Sequence, residues 1–378
     1  MKTGLYIHWP FCLKKCPYCD FNSHVRDRVD QDVWRETLLQ DLETLTARYG
    51  PRRIDTVFFG GGTPSLMPVG TAGALLERAD QLFGFADDVE ITLEANPTSV
   101  EAEALAGFRS AGVNRVSMGV QSLNQEALAF LGRQHGVDEA LTAVAIAAGL
   151  FSRFSFDLIY TLPGQTVDAW QAELTRALAF VKDHGGDHLS LYQLTIEQGT
   201  AFHTAERTGK LTMPEDDLAA QLFEATQAIM REAGYPAYEI SNHAAPGGEC
   251  RHNLVYWRGE DYLGIGPGAH GRVTVDAVRH ALRAERAPEK YIRQVQAHGH
   301  GLVEDTPLDN DDLTTERIMM GLRLVEGVPS DLLNGTQRRA ERTADLVEEG
   351  YLVEDADRMR TTEAGRLRLN ALLGYLLA

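Results

Sequence analysis

Cysteine is scarce in this chain, four in 378 residues, and three of the four fall between positions 12 and 19. A disulfide framework spreads its cysteines to close loops, so this spacing excludes one and leaves metal or redox chemistry as the expectation. Basic residues are in deficit, 36 against 54 acidic ones, for a formal net charge of −18. Such a field repels a phosphate backbone, and nucleic acid is not expected as a partner. No apolar run reaches the ~18 residues that a membrane-crossing helix needs. The first residues, Met1-Lys2-Thr3-Gly4-Leu5-Tyr6, lack the basic and apolar regions of a secretory signal. The expected location is the cytosol. There is no fixed-period repeat and no low-complexity tract.

What is present is a recurring strand-then-helix pattern. Strands are expected at 5–9, 55–59, 89–94, 115–120, 154–160 and 188–194, with a short further one at 237–240. Between them, 32–48 carries Val33, Trp34, Leu38, Leu42 and Leu45 at helical spacing. A second helix opens on the capping-box pattern Thr98-Ser99-Val100-Glu101 and stops near Gly112. Others cover 138–148 and 168–183. Strands separated by amphipathic helices mean βαβ units and a parallel sheet, here an open or partial barrel. In such sheets the reactive groups gather at the C-terminal strand ends. The cysteine loop, Gly60-Gly61-Gly62 and Glu94 all fall at such ends.

The pattern changes near 244. Residues 244–272 are rich in glycine, aromatics and histidine, and 284–301 reads as an exposed helix and linker. Helices over 311–325, 337–348 and 362–377, with a hairpin from 351–354 and 358–361, predict a winged-helix-like appendage. Its mixed charge gives no reason to expect DNA binding. Asp309 and its acidic neighbours should cap the following helix, and Met319-Met320 should be core. The expected division is a core over 1–243, a glycine- and aromatic-rich segment with linker over 244–304, and the appendage over 305–378.

Cys12-Leu13-Lys14-Lys15-Cys16-Pro17-Tyr18-Cys19 is a C-x3-C-x2-C run. A fully ligated iron–sulfur cubane needs four thiolates, so three leave one iron open to a chelating amino acid. Zinc with His8 or His24 as a fourth ligand is the competing reading, and three buried core cysteines is the plain one. Gly60-Gly61-Gly62-Thr63-Pro64 after a strand could bring free N–H groups to a carboxylate, or be only a tight turn. Asp157 in an apolar strand needs a partner or ligand, and Arg133 is the expected one. Glu94 and Gln121 are further polar groups at strand ends, where a solvated side chain is the alternative.

The cysteine run after a first strand, with an aromatic before its third cysteine, resembles the radical S-adenosylmethionine (SAM) superfamily. That resemblance implies a partial (β/α)6 barrel, a [4Fe–4S] cluster on Cys12, Cys16 and Cys19, SAM on the open iron, and cleavage of SAM to a 5′-deoxyadenosyl radical. The strand-end segments resemble the oxygen-independent coproporphyrinogen III oxidase branch. By that resemblance Tyr6, Tyr18, Gly61, Gly62, Thr63, Glu94, Gln121, Arg133 and Asp157 line the SAM sites.

Two departures point within the branch. Where the coproporphyrinogen dehydrogenases carry a fourth cysteine, this chain has Phe21, and only eleven residues precede Cys12. Cys250-Arg251-His252-Asn253-Leu254-Val255-Tyr256-Trp257 contains H-N-x-x-Y-W, which resembles the signature of the HemW-type heme chaperones. That implies heme contact by His252, Asn253, Tyr256 and Trp257, with His252 or Cys250 as axial ligand. Chemistry alone favours a hydrogen-bonding loop with core aromatics, and the resemblance reverses that reading. His8 could be packed against the barrel or functional, His24 could be solvent exposed, and His243 and His270 have a polar packing role as the default. The implied function is binding heme and passing it to acceptor proteins, with membrane respiratory enzymes among the expected ones. The alternatives are SAM-dependent oxidative decarboxylation of coproporphyrinogen III, and radical chemistry on a substrate that is not a tetrapyrrole.

Overall fold

In residues 3–9 the apolar Leu5, Ile7 and Trp9 alternate with Tyr6 and His8. A strand buried on both faces, one apolar and one polar, suits a sheet that curls around a polar lumen with helices outside. The computed structural model, which describes residues 2–26 and 28–378, has this form. Strands β1 (Thr3–Trp9), β2 (Ile54–Gly61), β3 (Phe85–Ala95), β4 (Arg115–Gln121), β5 (Arg153–Tyr160) and β6 (His188–Gln193) pair in that order, all parallel. Helices Gln31–Tyr49, Val69–Phe83, Ser99–Ser110, Val137–Leu150 and Val167–Asp183 make the crossovers. The chain thus builds the expected partial (β/α)6 barrel. Outward residues such as Leu5, Ile7, Val57, Phe59, Leu93 and Val116 form the core beneath the helices. Burial of each contributes roughly 1.5–3 kcal/mol.

The capping pattern works as read. The Thr98 side chain accepts from the Glu101 N–H at 3.3 Å. Glu101 itself turns to the Asn96 N–H at 2.8 Å and to Ser65, which ties the end of β3 to the turn that follows β2.

Sequence periodicity missed other elements. Helices Val69–Phe83 and Asp216–Glu232 are present, their apolar positions interrupted by alanine, threonine and glutamine. The strand expected at 237–240 is only a bridge from Ala237 to His243, and the paired strand is β7 (Asn242–Ala244), antiparallel to β6. Residues 244–304, read as a glycine- and aromatic-rich segment with linker, together with the first three residues of the expected appendage supply four more strands: β8 (Asp261–Ile265), β9 (His270–Val275), β10 (Val278–Ala284) and β11 (Leu302–Pro307). β8 lies parallel to β1 on its free edge, and the others continue antiparallel to give one eleven-stranded sheet. The helix expected within 284–301, Pro288–His298, is no linker, because its Tyr291 and Val295 are fully buried.

The tail packs around its own apolar cluster, including Ile318, Leu322, Leu346, Leu352 and Leu373. Arg358–Thr361 is the centre of a three-stranded sheet with Val328–Pro329 and Leu352–Asp355. Asp309 caps Asn310–Gly321 as expected, accepting from the Asp311 and Asp312 N–H groups at 2.9 Å. Met319, expected in the core, is 41% exposed. The helix expected over 362–377 breaks at Arg368 into Glu363–Leu367 and Leu369–Leu377.

Candidate functional site

The loop after β1 carries Cys12, Cys16 and Cys19, all half-buried at the C-terminal mouth of the barrel. Backbone bonds fix it. The His24 N–H donates to Pro10 O at 2.7 Å, the Cys19 N–H to Cys16 O at 3.2 Å, and the Phe202 N–H to Pro17 O at 3.0 Å. The glycine triplet holds the other side. Gly62 and Thr63 donate their N–H groups to Trp9 O (2.7 Å) and Phe11 O (2.9 Å). Gly61, at φ 119°, donates to Glu94 Oε2 at 3.2 Å. A Cβ on Gly61 would stand 2.6 Å from the His8 ring, and one on Gly62 would stand 2.8 Å from Phe11 O. The triplet is therefore glycine because β1 and the cysteine loop press against it. Its N–H groups, expected to be free for a ligand carboxylate, are engaged within the protein.

Each cysteine sulfur has a polar neighbour. Thr63 Oγ1 donates to Cys12 Sγ at 3.3 Å, Arg133 Nη1 to Cys16 Sγ at 3.4 Å, and Ser23 Oγ lies 3.8 Å from Cys19 Sγ. Burial pushes the Cys12 and Cys19 thiols up, and the Thr63 and Ser23 contacts pull them back. Such donors stabilise sulfur-centred negative charge and tune a cluster that the sulfurs hold.

The cavity under the loop is lined by the three cysteines, Tyr18, Phe21, Gly61, Gly62, Thr63, Glu94, Gln121, Arg133 and Asp157. Sheet register explains the gathering. Glu94 sits beside Ser117, Ser117 beside Ser155, and Asp157 beside Ser190, so one inward layer of the barrel is polar. Glu94 is pushed up to about 8, first by burial and then by the charge of Asp157. Asp157 is raised to about 6 by burial, against the Ser190 hydrogen bond and the charges of Arg115 and Arg133. Arg133 does not pair with it directly. Its guanidinium donates to Asn96 Oδ1 (2.6 Å), Gly119 O (2.7 Å) and Cys16, because the turn after the short helix Gln125–Phe130 aims it at the loop. Two half-buried carboxylates without a direct cationic partner favour a positively charged ligand. Gln121 ends β4 at φ 74°, a left-handed conformation unusual for a side-chain-bearing residue. Tyr6 lies below the cavity, its hydroxyl 2.9 Å from His8 Nδ1, and is not among the lining residues. Asn96, Ser117 and Ser23 were missed by sequence reading. Asn96 had a signal, since it is two residues past Glu94 at the same strand end.

The comparisons with known proteins agree with this geometry. The radical SAM superfamily pattern matches residues 6–177, and the HemN C-terminal domain pattern matches 308–368. Radical S-adenosyl methionine domain-containing protein 1, mitochondrial, of Bos taurus is 39% identical, over all of this chain and 88% of that protein. Heme chaperone HemW of Escherichia coli (strain K12) is 40% identical, over 99% of this chain and 98% of its own length. The chain belongs to the radical SAM superfamily. A solved structure of coproporphyrinogen III oxidase (HemN) from Escherichia coli, described as a radical SAM enzyme, superposes with a TM-score of 0.83, covering 99% of this chain and 90% of that one. At 24% identity that likeness speaks for the fold.

A radical SAM cluster fits the donor set better than zinc does. Both ring nitrogens of His8 are engaged, Nδ1 by Tyr6 and Nε2 at 2.9 Å from Asn22 O. His24 Nε2 lies 3.2 Å from Asn22 Oδ1. Among the described residues no group of three His, Cys, Asp or Glu side chains could hold a single metal ion. Thiolates on a cubane bind three different irons and stand farther apart than ligands sharing one ion.

The H-N-x-x-Y-W segment forms the short helix Arg251–Trp257 against β1, β2 and β8. His252 is fully buried. Its Nδ1 lies 2.8 Å from Thr56 Oγ1, its Nε2 2.7 Å from the Tyr256 hydroxyl, and its ring stacks on Phe58 at 5.1 Å. Burial lowers its pKa to about 3. The axial role expected for it is corrected here: neither nitrogen is available to an iron while this packing holds. Cys250, the other axial candidate, is 1% exposed, and its thiol is pushed up to about 11 by burial. Asn253 is half-buried and hydrogen-bonds Tyr238. Trp257 is half-buried with Arg323 over its ring at 5.8 Å. His252→Ala is expected to destabilise the fold by roughly 2–4 kcal/mol in denaturant unfolding, because it opens a cavity and strands the Thr56 and Tyr256 hydroxyls.

Proposed function

We propose that this chain is a radical SAM-type heme chaperone. It holds a [4Fe–4S] cluster on Cys12, Cys16 and Cys19, takes SAM in the cavity of Glu94 and Asp157, and binds heme for delivery to acceptor proteins, respiratory membrane enzymes among them. The observation that carries the reading is 40% identity to a heme chaperone over 99% of this chain and 98% of that one. Phe21, 62% exposed at the cavity mouth where the dehydrogenases of the branch have a fourth cysteine, supports it against the decarboxylase reading. No helix among the described residues is long and apolar enough to cross a membrane. We place the protein in the cytosol.

In this reading the chain's own groups do three things. The cysteines grip the cluster while Thr63, Arg133 and Ser23 donate to or face their sulfurs. Glu94 and Asp157 take up the positive charge of SAM. The helix ring and the strand-end residues keep the lumen dry, which strengthens those contacts. When bound, a reduced cluster supplies the electron that cleaves a carbon–sulfur bond of SAM.

Anaerobically reconstituted protein titrated with heme is expected to show a Soret band that saturates at a fixed stoichiometry. Incubation of the reduced protein with SAM and coproporphyrinogen III is expected to give no repeated turnover to protoporphyrinogen IX. Turnover without stable heme binding would replace the chaperone reading with the dehydrogenase one.

A further inference from the structure

With both His252 nitrogens engaged inside the fold, heme needs another seat. Beside the cluster loop, and sharing Lys14, Lys15, Cys16, Cys19 and Gly132 with the cavity of Glu94 and Asp157, lies an open groove of about 640 Å³, within the range of cofactor sites, whose lining includes neither carboxylate. Its apolar floor is Pro17 and Phe130, and Phe130 stacks on Phe202 with ring centres 4.7 Å apart and planes 25° from parallel. Small residues flank that floor: a Cβ built on Gly199 meets nothing within 4 Å, and Ala129 is exposed. On the rim stand Lys14 and Lys15, both exposed and, among the described residues, held by no ion pair. A pair of free cations on a chain of net charge −18 marks one face for an anion.

We propose that heme docks in this groove, its macrocycle on the Pro17–Phe130 face and its two propionates at Lys14 and Lys15. The assignment rests on the heme-chaperone reading and adds its location. Apart from Cys16 and Cys19, which the cluster uses, no lining side chain ligates iron well. Heme here is held by its face and its carboxylates, without a protein axial bond, and a carrier must let its cargo go. The alternative cavity beside Trp257, about 460 Å³, is less suited. It is smaller and has Glu326 and Asp331 in its lining; its Arg258 is paired with Glu326 at 2.9 Å and its Arg358 donates to the Glu326 and Gly327 carbonyls, so that of its three arginines only Arg317 has no ion pair among the described residues.

The test is a hemin titration of the reconstituted full chain at low salt, followed at the Soret band. Four proteins are compared: wild type, Lys14→Glu/Lys15→Glu, Ala129→Trp and Trp257→Ala. Iron–sulfur absorbance is recorded for each. Charge reversal at the rim and the bulky indole on the floor are each expected to weaken binding about tenfold or more, with Trp257→Ala within about twofold of wild type. Heme dimethyl ester, which lacks the carboxylates, should bind wild type and the double variant alike. Should the lysine changes disturb the cluster, Ala129→Trp on the separate helix decides. If wild type takes up no heme, the chaperone reading itself fails. If wild type binds while both groove variants match it, the groove is the wrong seat.

Discussion

Anaerobic reconstitution of a Cys16→Ser variant is expected to yield protein without a [4Fe–4S] cluster, with iron and sulfide contents near zero and no broad charge-transfer absorbance. Iron is held by thiolate, and a serine hydroxyl keeps its proton where a cysteine thiol can give it up. His8 and Cys250 cannot take its place. His8 is engaged on both ring nitrogens, and the fourth cysteine, Cys250, is buried near Glu90, 3.8 Å from its carboxylate. The loss should be confined to the cluster, because the loop is fixed by backbone bonds from Gly62, Thr63 and Phe202 that do not involve the sulfur. Circular dichroism and thermal unfolding of the apo variant should match apo wild type within about 1 kcal/mol. A full cluster in Cys16→Ser would remove the three-thiolate site, and with it the account of SAM binding.

The second large effect concerns charge in the barrel lumen. Glu94→Gln is expected to weaken SAM binding roughly 10- to 100-fold, the scale of losing a charged contact in a buried site. Asp157→Asn should act in the same direction. Stability should move the other way. A carboxyl raised from 4.5 to about 8 keeps its proton in the folded state after the unfolded chain has released it. The apo protein therefore loses stability as pH rises through that window, by up to about 1.4 kcal/mol per unit, and Glu94→Gln should flatten the fall. The same linkage predicts that a cationic ligand bound near neutral pH expels the Glu94 proton. Calorimetry of SAM binding in two buffers of different ionisation heat should show more proton release for wild type than for Glu94→Gln. Equal proton release and equal affinity in the two proteins would show that the carboxylate does not meet the ligand.

The strands of the barrel were legible because their signal is local. Residues 154–160 and 115–120 alternate or run apolar over a strand's length, and the helices between them show helical spacing. Val69–Phe83 and Asp216–Glu232 escaped because their buried faces use Ala72, Ala79, Thr71 and Thr226, residues that also belong on surfaces. The strands of 261–307 escaped for another reason. Asp261–Ile265 is five residues with a glycine inside, and it is a strand because the free edge of β1 offers it a partner some 250 positions away in sequence.

The site divides in the same way. Cys12, Cys16 and Cys19 were readable because their spacing alone sets three sulfurs on one short loop. Glu94, Gln121 and Asp157 stood out as polar residues in or at the ends of strands and Arg133 as a basic residue in a turn, but their partners could not be read from the chain. Arg133 was expected at Asp157 and instead reaches Cys16, Asn96 and Gly119. The glycine triplet was expected at a ligand; Gly61 and Gly62 do line the cavity, and the reason that they are glycine is also the close approach of β1 and the cysteine loop.

The superfamily, the parallel barrel and the three-cysteine loop could be read from the chain alone, because each depends on spacing within a short stretch. It took the folded chain to show that Glu94 and Asp157 share one lumen, that His252 is locked between Thr56 and Tyr256, and that Lys14 and Lys15, without an ion pair among the described residues, stand beside an apolar groove. Burial and hydrogen-bond partnership come from segments tens to hundreds of residues apart, and they change a side chain's chemistry without changing its identity.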